Sequence, residues 1–362
     1  MSTPNTQNPG NEFWSDSLAK TAGADSIAEK NLAGQTSKDL SDLLGSEEKT
    51  DTPILLDPTN EDIALLSNAL KNDKEGTNTA VEMIAVKPGD EEGFQRWMKK
   101  YTTIFTDPAD MEDEETIRRN WEKGVGILYM VEGETKTEEG SSLRQEIGIR
   151  LAAVNPQVPD KAYVPYGGMD ESFRGSLGYT RAMKHNEKDL AARGVNVVLN
   201  DCEDETRLAA FRESYKNDDG SQKSDDEIAK ICQNRLHFFI KNGYTFVDDR
   251  DDEKGAAVKY RRPGSEDTKE IQAYDRLGFK FIANDAKYNQ YFIKDADGNK
   301  THITKEGYKA MYLSLHTLDQ YSDMSESELR AEFPAIDSFL TDLEASPKTE
   351  FALYQDVVVD KK

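Results

Sequence analysis

Apolar positions first fall at helical spacing around residues 60–72, where Ile63, Leu66 and Leu70 share a face and Asn60 is the expected N-cap. A strand is predicted over 81–86, closed by Pro88-Gly89. Phe94, Trp97, Met98, Tyr101, Ile104 and Phe105 then form a continuous helical stripe, and a more acidic helix is expected between Asp107-Pro108 and Lys123. Strands follow at 126–131, 146–154 and 161–169, with 132–142 as the first turn and Asn155-Pro156 as the second. Tyr179, Met183 and Leu190 line a helix that ends at Gly194, and the β-branched run 195–199 reads as a strand. After an acidic loop at 216–226, Ile228, Ile231, Cys232, Leu236, Phe239 and Ile240 face inward on a helix stopped by Gly243. Strands near 244–247 and 256–260 complete this run.

A hairpin is predicted around 295–299, flanked by strands at 291–294 and 301–303. Tyr308, Met311, Tyr312, Leu315 and Leu318 predict an amphipathic helix, and Ser325 with Glu328 forms a capping box for another. Pro334 either kinks or restarts that last helix. The element order predicts one mixed α/β layer structure, because no linker or internal repeat divides it. The expected division is a polar arm at 1–57, a linker with a short helix at 58–79, the main domain at 80–320, and a helical extension and tail at 321–362.

Composition changes the picture at the N-terminus. Residues 1–57 are rich in Ser, Thr, Asn, Gly and Asp, too polar to offset the entropy of ordering, so a disordered arm is expected. Phe13-Trp14, the Leu40/Leu43/Leu44 cluster and residues 60–72 are candidate docking points, either on the protein's own body or on a protein partner. Met1–Gly10 lacks the basic and apolar regions of a secretory signal, and no stretch approaches the roughly 18 apolar residues of a membrane span. The formal charge of −23 argues against binding a phosphate backbone and favours a basic protein, peptide or polyamine as partner; a solvated acidic surface is the plainer reading. Cys202 and Cys232 read as reduced core thiols in a cytoplasmic protein. The four histidines show no zinc-ligand spacing, and Asp295, Asp297 and Asn299 read as a hairpin turn rather than a calcium loop, so no metal is expected.

The segment Met169-Asp-Glu-Ser-Phe-Arg-Gly-Ser-Leu-Gly-Tyr179 lies between a predicted strand and a predicted helix. Glycines in such a turn let backbone N–H groups point at an anion, the helix dipole adds to the attraction, and Arg174 supplies a positive charge. Asp201 and Glu203, two apart on a strand, share one face and are candidate proton acceptors; pairing with Arg235 or solvent is an equally weighted alternative. Glu146 is a further carboxylate; Tyr163, Tyr166 and Tyr244 read first as buried structural tyrosines that could also donate a proton.

Met169-Asp170 and Phe173-Arg174-Gly175 resemble the acetyl-CoA-binding run of the GNAT acyltransferase superfamily. The run 195–199 with Asp201-Cys202-Glu203-Asp204 is similar to that family's next strand. Arg235-Leu-His-Phe-Phe-Ile-Lys-Asn-Gly-Tyr244 resembles its following helix end, and Lys259-Tyr-Arg-Arg-Pro263 a strand of one branch. Asp297-Gly298 through Tyr308 resembles its C-terminal hairpin and helix. The resemblance implies a mixed, mostly antiparallel central sheet flanked by helices, with a C-terminal helical extension. It implies acetyl-CoA as co-substrate, held by Gly168, Met169, Asp170, Arg174, Gly175, Ser176, Leu177, Gly178 and Tyr179. Acetyl transfer to an amine would use Glu203 or Asp201 as base and Tyr166 or Tyr244 as acid, with backbone donors near Gly168–Asp170 for the thioester oxygen. Leu177 stands where the family has a further glycine, and Phe239 where many members carry the acidic tyrosine. A non-catalytic binding module of the same fold is the first alternative. The second is a secreted effector acting in a host cytosol, or a virion component, with the arm as its signal.

Overall fold

Helices cover both faces of the strands Gly126–Lys136 (β2) and Ser142–Val154 (β3), so these two are buried along nearly their whole length. They belong to a computed structural model that describes residues 54–56, 58–73, 75, 77–105, 111–137, 139–155, 158–203, 215, 220–248, 275–283, 285–318 and 324–354. The chain divides into two compact units, residues 1–51 with 325–328 and residues 52–324 with 329–362. The sheet belongs to the second. Residues 1–53 of the expected arm, the predicted strand at 256–260 and the motif at Lys259–Pro263 lie outside the described residues, whereas Ile54 bridges to Arg144 and Leu55 N–H donates to the Arg144 carbonyl at 2.8 Å.

The remaining strands are Thr79–Ala85 (β1), Lys161–Met169 (β4), Val197–Glu203 (β5), Thr245–Asp248 (β6), Asp275–Phe281 (β7), Phe292–Lys294 (β8), Lys300–Thr304 (β9) and Glu350–Tyr354 (β10). Together with β2 and β3 they form one sheet in the order β1-β2-β3-β4-β5-β7-β6-β10-β9-β8. Every neighbouring pair is antiparallel except β4 with β5. The class is the mixed α/β one that the pattern predicts, with the mostly antiparallel sheet that the resemblance implies.

Helix Glu91–Ile104 (α2) and helix Glu114–Glu122 (α3) cover one face. Phe94, Trp97, Met98 and Tyr101 of the predicted stripe pack there with Trp121, Met130, Ile149 and Tyr166. The Trp97 indole donates to the Tyr129 carbonyl at 3.1 Å and that of Trp121 to Val86 at 2.9 Å, so both buried rings have a hydrogen-bond acceptor. Helix Gly178–Ala192 (α4) and helix Asp225–Lys241 (α5) cover the other face through Met183, Leu190 and Leu236. Gly194 at φ +92° and Gly243 at φ +85° end these helices in the left-handed conformation that glycine adopts without a Cβ clash.

Three expectations need correction. Helix Asn60–Asn72 (α1) is no linker: Leu66 and Leu70 are buried with Val81, Val131, Ile147 and Phe173. Its N-cap is Thr59, which forms a capping box with Asp62, one residue before the expected Asn60. The boundary near 320 also fails. Helix Lys305–Leu318 (α6) and helix Pro334–Ala345 (α8) share a core through Tyr308, Tyr312, Phe339 and Leu340, and β10 enters the sheet between β6 and β9. Between them, Glu326–Glu332 (α7) ends before Pro334, which restarts the chain as the first residue of α8. Finally, residues Ala286–Tyr291 form a 3-10 helix where part of a strand was predicted. The Asp295 oxygens accept from Asp297 and Asn299 backbone N–H at 3.0 and 2.8 Å, which closes the β8–β9 hairpin.

Candidate active site

The parallel strands β4 and β5 stay together for only three positions, Lys161↔Val197, Ala162↔Val198 and Tyr163↔Leu199. Against β3, Ala153 pairs with Tyr163 but Leu151 pairs with Tyr166, so β4 carries an extra residue at Val164-Pro165. That bulge bends the strand and increases its twist, and Pro165 has no N–H with which to continue a ladder. Beyond it β4 follows β3 to Met169, whereas β5 follows β7 to Glu203↔Asp275. The two strands part, and a cleft of ≈ 310 Å³ opens between them. Phe105, Arg150, Tyr166, Gly167, Tyr179, Asn200, Asp201, Cys202, Glu203, Tyr215, Arg235 and Phe239 are among its lining residues.

Past the end of β4 the chain makes the predicted turn. Asp170 N–H donates to the Ile147 carbonyl at 3.0 Å, and its carboxylate pairs with Lys100. A 3-10 turn at Glu171–Phe173 buries Phe173, and Ser67 of α1 donates to the Ser172 carbonyl at 2.5 Å, bracing the turn from outside. Gly175 takes φ +77°, a conformation costly for any residue with a Cβ. Ser176 Oγ donates to the Phe173 carbonyl at 2.8 Å and accepts from Gly178 N–H at 3.2 Å. Leu177, the N-cap of α4, offers no side-chain acceptor, so apart from the Gly178 N–H held by Ser176 the helix start carries no side-chain cap. Arg174 and Leu177 are exposed at this turn; Arg174 Nε donates to the Met169 carbonyl at 3.3 Å.

The sequence-derived site residues separate into three groups. Tyr166, Asp201, Glu203 and Tyr179 lie along the cleft. Gly168 and Met169 sit in the ladder opposite Ile149 and Gly148, and a Cβ on Gly168 would come 2.6 Å from Ile104 of α2. The Asp170 amide, proposed for the thioester oxygen, already serves Ile147. Tyr244 stands behind the cleft, where its hydroxyl accepts from Arg150 Nη2 at 3.3 Å and burial pushes its phenol up to about 12. Glu146 is paired with Arg96 at 2.9 Å and does not line the cleft.

The two acidic residues on β5 differ in their surroundings. Burial pushes the Glu203 carboxyl up, but the charge and hydrogen bond of Arg235, with the Tyr215 hydroxyl donating at 3.0 Å, hold it below the ordinary carboxylate range. A carboxylate so held is a poor proton acceptor at neutral pH. Asp201 Oδ1 accepts from the Tyr163 hydroxyl at 3.1 Å. Tyr179 hangs over β4 so closely that a Cβ on Gly167 would come 1.9 Å from its hydroxyl. Sequence reasoning missed Arg150 and Asn200 altogether. One arginine in the apolar run 147–154 was the available signal.

No protein-family profile and no curated protein matches the chain. Solved structures do. A protein described as a GNAT-family acetyltransferase from Bacteroides thetaiotaomicron shares 13% identity over 65% of this chain and 96% of its own, with a TM-score of 0.40. An aminoglycoside 6'-N-acetyltransferase complexed with coenzyme A shares 16% over 56% and 97%, with a TM-score of 0.35. The ribosomal-protein-S18-alanine N-acetyltransferase of Escherichia coli shares 10% over 57% and 96%, with a TM-score of 0.34. At such identities and scores the cleft's own geometry has to carry the function. Among the described residues, no group of three or more His, Cys, Asp or Glu is placed to hold a metal, and no helix is long and apolar enough to cross a membrane.

Proposed function

We propose that the chain is a GNAT-like N-acetyltransferase that moves an acetyl group from acetyl-CoA to an amine. The observation that carries this is the pair of strand edges facing each other across the cleft, residues 164–167 of β4 and 200–203 of β5, neither with a partner strand on that side among the described residues. Strand-edge N–H and C=O groups need partners, and an extended chain bearing amides, such as the pantetheine arm, can supply them on both sides. The N-terminus of α4, whose N-cap Leu177 offers no acceptor, suits the attached pyrophosphate, because the N–H groups beyond Gly178 and the dipole favour an anion. Gly175 keeps the approach to that terminus open, since no atom lies within 4 Å of the point where its Cβ would be.

Within this reading Asp201 takes the proton of the incoming ammonium, directly or through water, since Glu203 is engaged by Arg235. The departing thiolate takes a proton from a phenol; Tyr166, Tyr179 and Tyr215 line the cleft, and Tyr215 already donates to Glu203. Tyr244 acts behind them by fixing Arg150. The formal charge of −23 favours a basic acceptor, either a polyamine or a basic protein.

Calorimetric titration with acetyl-CoA tests the binding step, and release of CoA with a panel of amines tests the transfer. Binding is expected, and Arg174→Glu should weaken it by at least tenfold through repulsion of the pyrophosphate. No heat and no thermal stabilisation at millimolar acetyl-CoA would overturn the reading. Tight binding with no CoA released by any amine would leave a binding module of the same fold.

A further inference from the structure

Arg150 is 1% exposed, and among the described residues its Nε and Nη1 have no hydrogen-bond partner. Its Nη2 donates to the Tyr244 hydroxyl at 3.3 Å and the Tyr179 hydroxyl also faces it, both of them phenols rather than carboxylates. A guanidinium stays protonated at any working pH, so a full charge is buried here. Burying a charge without a counter-ion is costly, and the usual remedy is a carboxylate. The chain carries 69 acidic residues against 46 basic ones, yet none of the ion pairs in the described residues involves Arg150.

A second buried group beside the same cleft is also unmet. Asn200 is 2% exposed, and among the described residues neither its Oδ1 nor its Nδ2 has a partner. The register shows why the two belong together. Arg150 is opposite Gly167 on β4, and Asn200 follows immediately after the last β4–β5 pair. Ala152, Val198 and Cys202, each two positions away on the same strands, pack with α4 and α5, so Arg150 and Asn200 face that same side. Both line the opening where β4 and β5 part. The remaining wall there is the apolar Val164 and the rings of Tyr179 and Phe239, which exclude water and strengthen any charge pairing.

We propose that this end of the cleft is a carboxylate subsite, in which Arg150 supplies the charge and the Asn200 amide a further donor. It rests on the proposed acyl transfer for its place in the reaction, and the carboxylate is borne either by the acyl chain of the thioester or by the amine acceptor. An N–H set on a planar guanidinium matches a carboxylate far better than a neutral acyl chain or a free methyl group. The consequence is selectivity: a substrate lacking the carboxylate leaves Arg150 buried and unpaired.

Two arms separate the sources of the carboxylate. The first compares succinyl-CoA with butyryl-CoA, which has the same chain length and no charge. The second compares L-lysine with 1,5-diaminopentane, the same amine without the carboxylate, using acetyl-CoA as donor. One charge-assisted hydrogen bond contributes enough for a preference of about ten- to a hundredfold in kcat/KM. That preference is expected in one arm and should vanish in Arg150→Gln, with Asn200→Leu, a near-isostere, reducing it. A third measurement stands apart from catalysis. Succinate alone should raise the melting temperature of the wild type and not that of Arg150→Gln. Equal kcat/KM within each pair, a preference that survives Arg150→Gln, or a succinate response indifferent to both substitutions would each overturn the subsite. If acetyl-CoA fails to bind while the succinate response behaves as expected, the subsite stands and the transferase reading falls.

Discussion

Replacing Arg235 by Met removes the guanidinium that, among the described residues, holds Glu203 in its ionised form. The pair is intermediate in exposure, with the arginine side chain 42% exposed and the glutamate 23%. Fully exposed pairs contribute about 0–1 kcal/mol, and loss of one partner from a buried pair costs about 3–5 kcal/mol. After allowing for solvent screening, the substitution should cost about 1–2 kcal/mol at pH 7. Its pH dependence is the more decisive part. In the wild type the Glu203 carboxyl is depressed, so its stabilising contribution is present above the unfolded value of about 4.3 and is lost as pH falls through the lower folded value. Without Arg235 the largest remaining influence is burial, which raises the carboxyl. The variant then pays for an ionised Glu203 above the unfolded value and is relieved of that cost below it. Urea unfolding of both proteins across pH 4–7 should show a gap that is widest at pH 7 and narrows towards pH 4. A gap that stays constant over this range would mean that only the packing of the Arg235 stem was lost, and the electrostatic account of Glu203 would be wrong.

Two further substitutions bear on the fold and the cleft. Leu66→Ala should destabilise the protein by about 2–5 kcal/mol in urea unfolding, because Leu66 is fully buried between α1 and the sheet; a loss below 1 kcal/mol would return residues 60–72 to the status of a linker. Gly167→Ala should cost about 1–3 kcal/mol and impair acetyl-CoA binding, since the new Cβ displaces the Tyr179 ring into the cleft, and Tyr179→Phe on that background should restore most of the stability by removing the clashing hydroxyl. No recovery in the double variant would show that the strain lies in the β4 backbone instead.

The stripe from Phe94 to Phe105 was legible because one helix buries one face, and a helix's period survives whatever it packs against. Strands β7 and β10 were not. In β7, Leu277 and Phe279 alternate correctly, but Gly278 lies between them and glycine weakens a strand reading. The glycine has a tertiary cause: a Cβ there would lie 2.3 Å from Asn200 Oδ1 and 2.5 Å from the Phe246 ring. In β10 five residues after a polar turn offer too short a pattern, and their burial comes from β6 and β9, each more than forty positions earlier in the chain. The candidate site divides in the same way. The Arg174–Gly178 turn is a local device, set by glycine conformation and a helix start, so its chemistry shows in consecutive residues. Arg150 and Asn200 are fifty positions apart in sequence, and only the bulge at Val164-Pro165 brings them to one opening.

That bulge follows from two incompatible pairing demands. On one side β4 must remain in register with β3 as far as Gly148↔Met169, because Ile147 and Met169 there close the core beneath α1. On the other, β5 is paired along its entire length with β7, and that pairing carries Leu199, Leu277 and Phe279 into the core under α6 and α8. Each strand is therefore committed to a different half of the sheet, and each half has its own helices. A chain satisfying both cannot also keep β4 and β5 hydrogen-bonded beyond Tyr163↔Leu199, so the cleft is the position at which the sheet's two cores stop sharing an edge. Filling it with apolar side chains would stabilise the fold more than the groups found there. The polar residues Arg150, Asn200, Asp201 and Glu203 stand instead at the opening, and buried polar groups kept at a stability cost are the mark of a surface that meets a ligand.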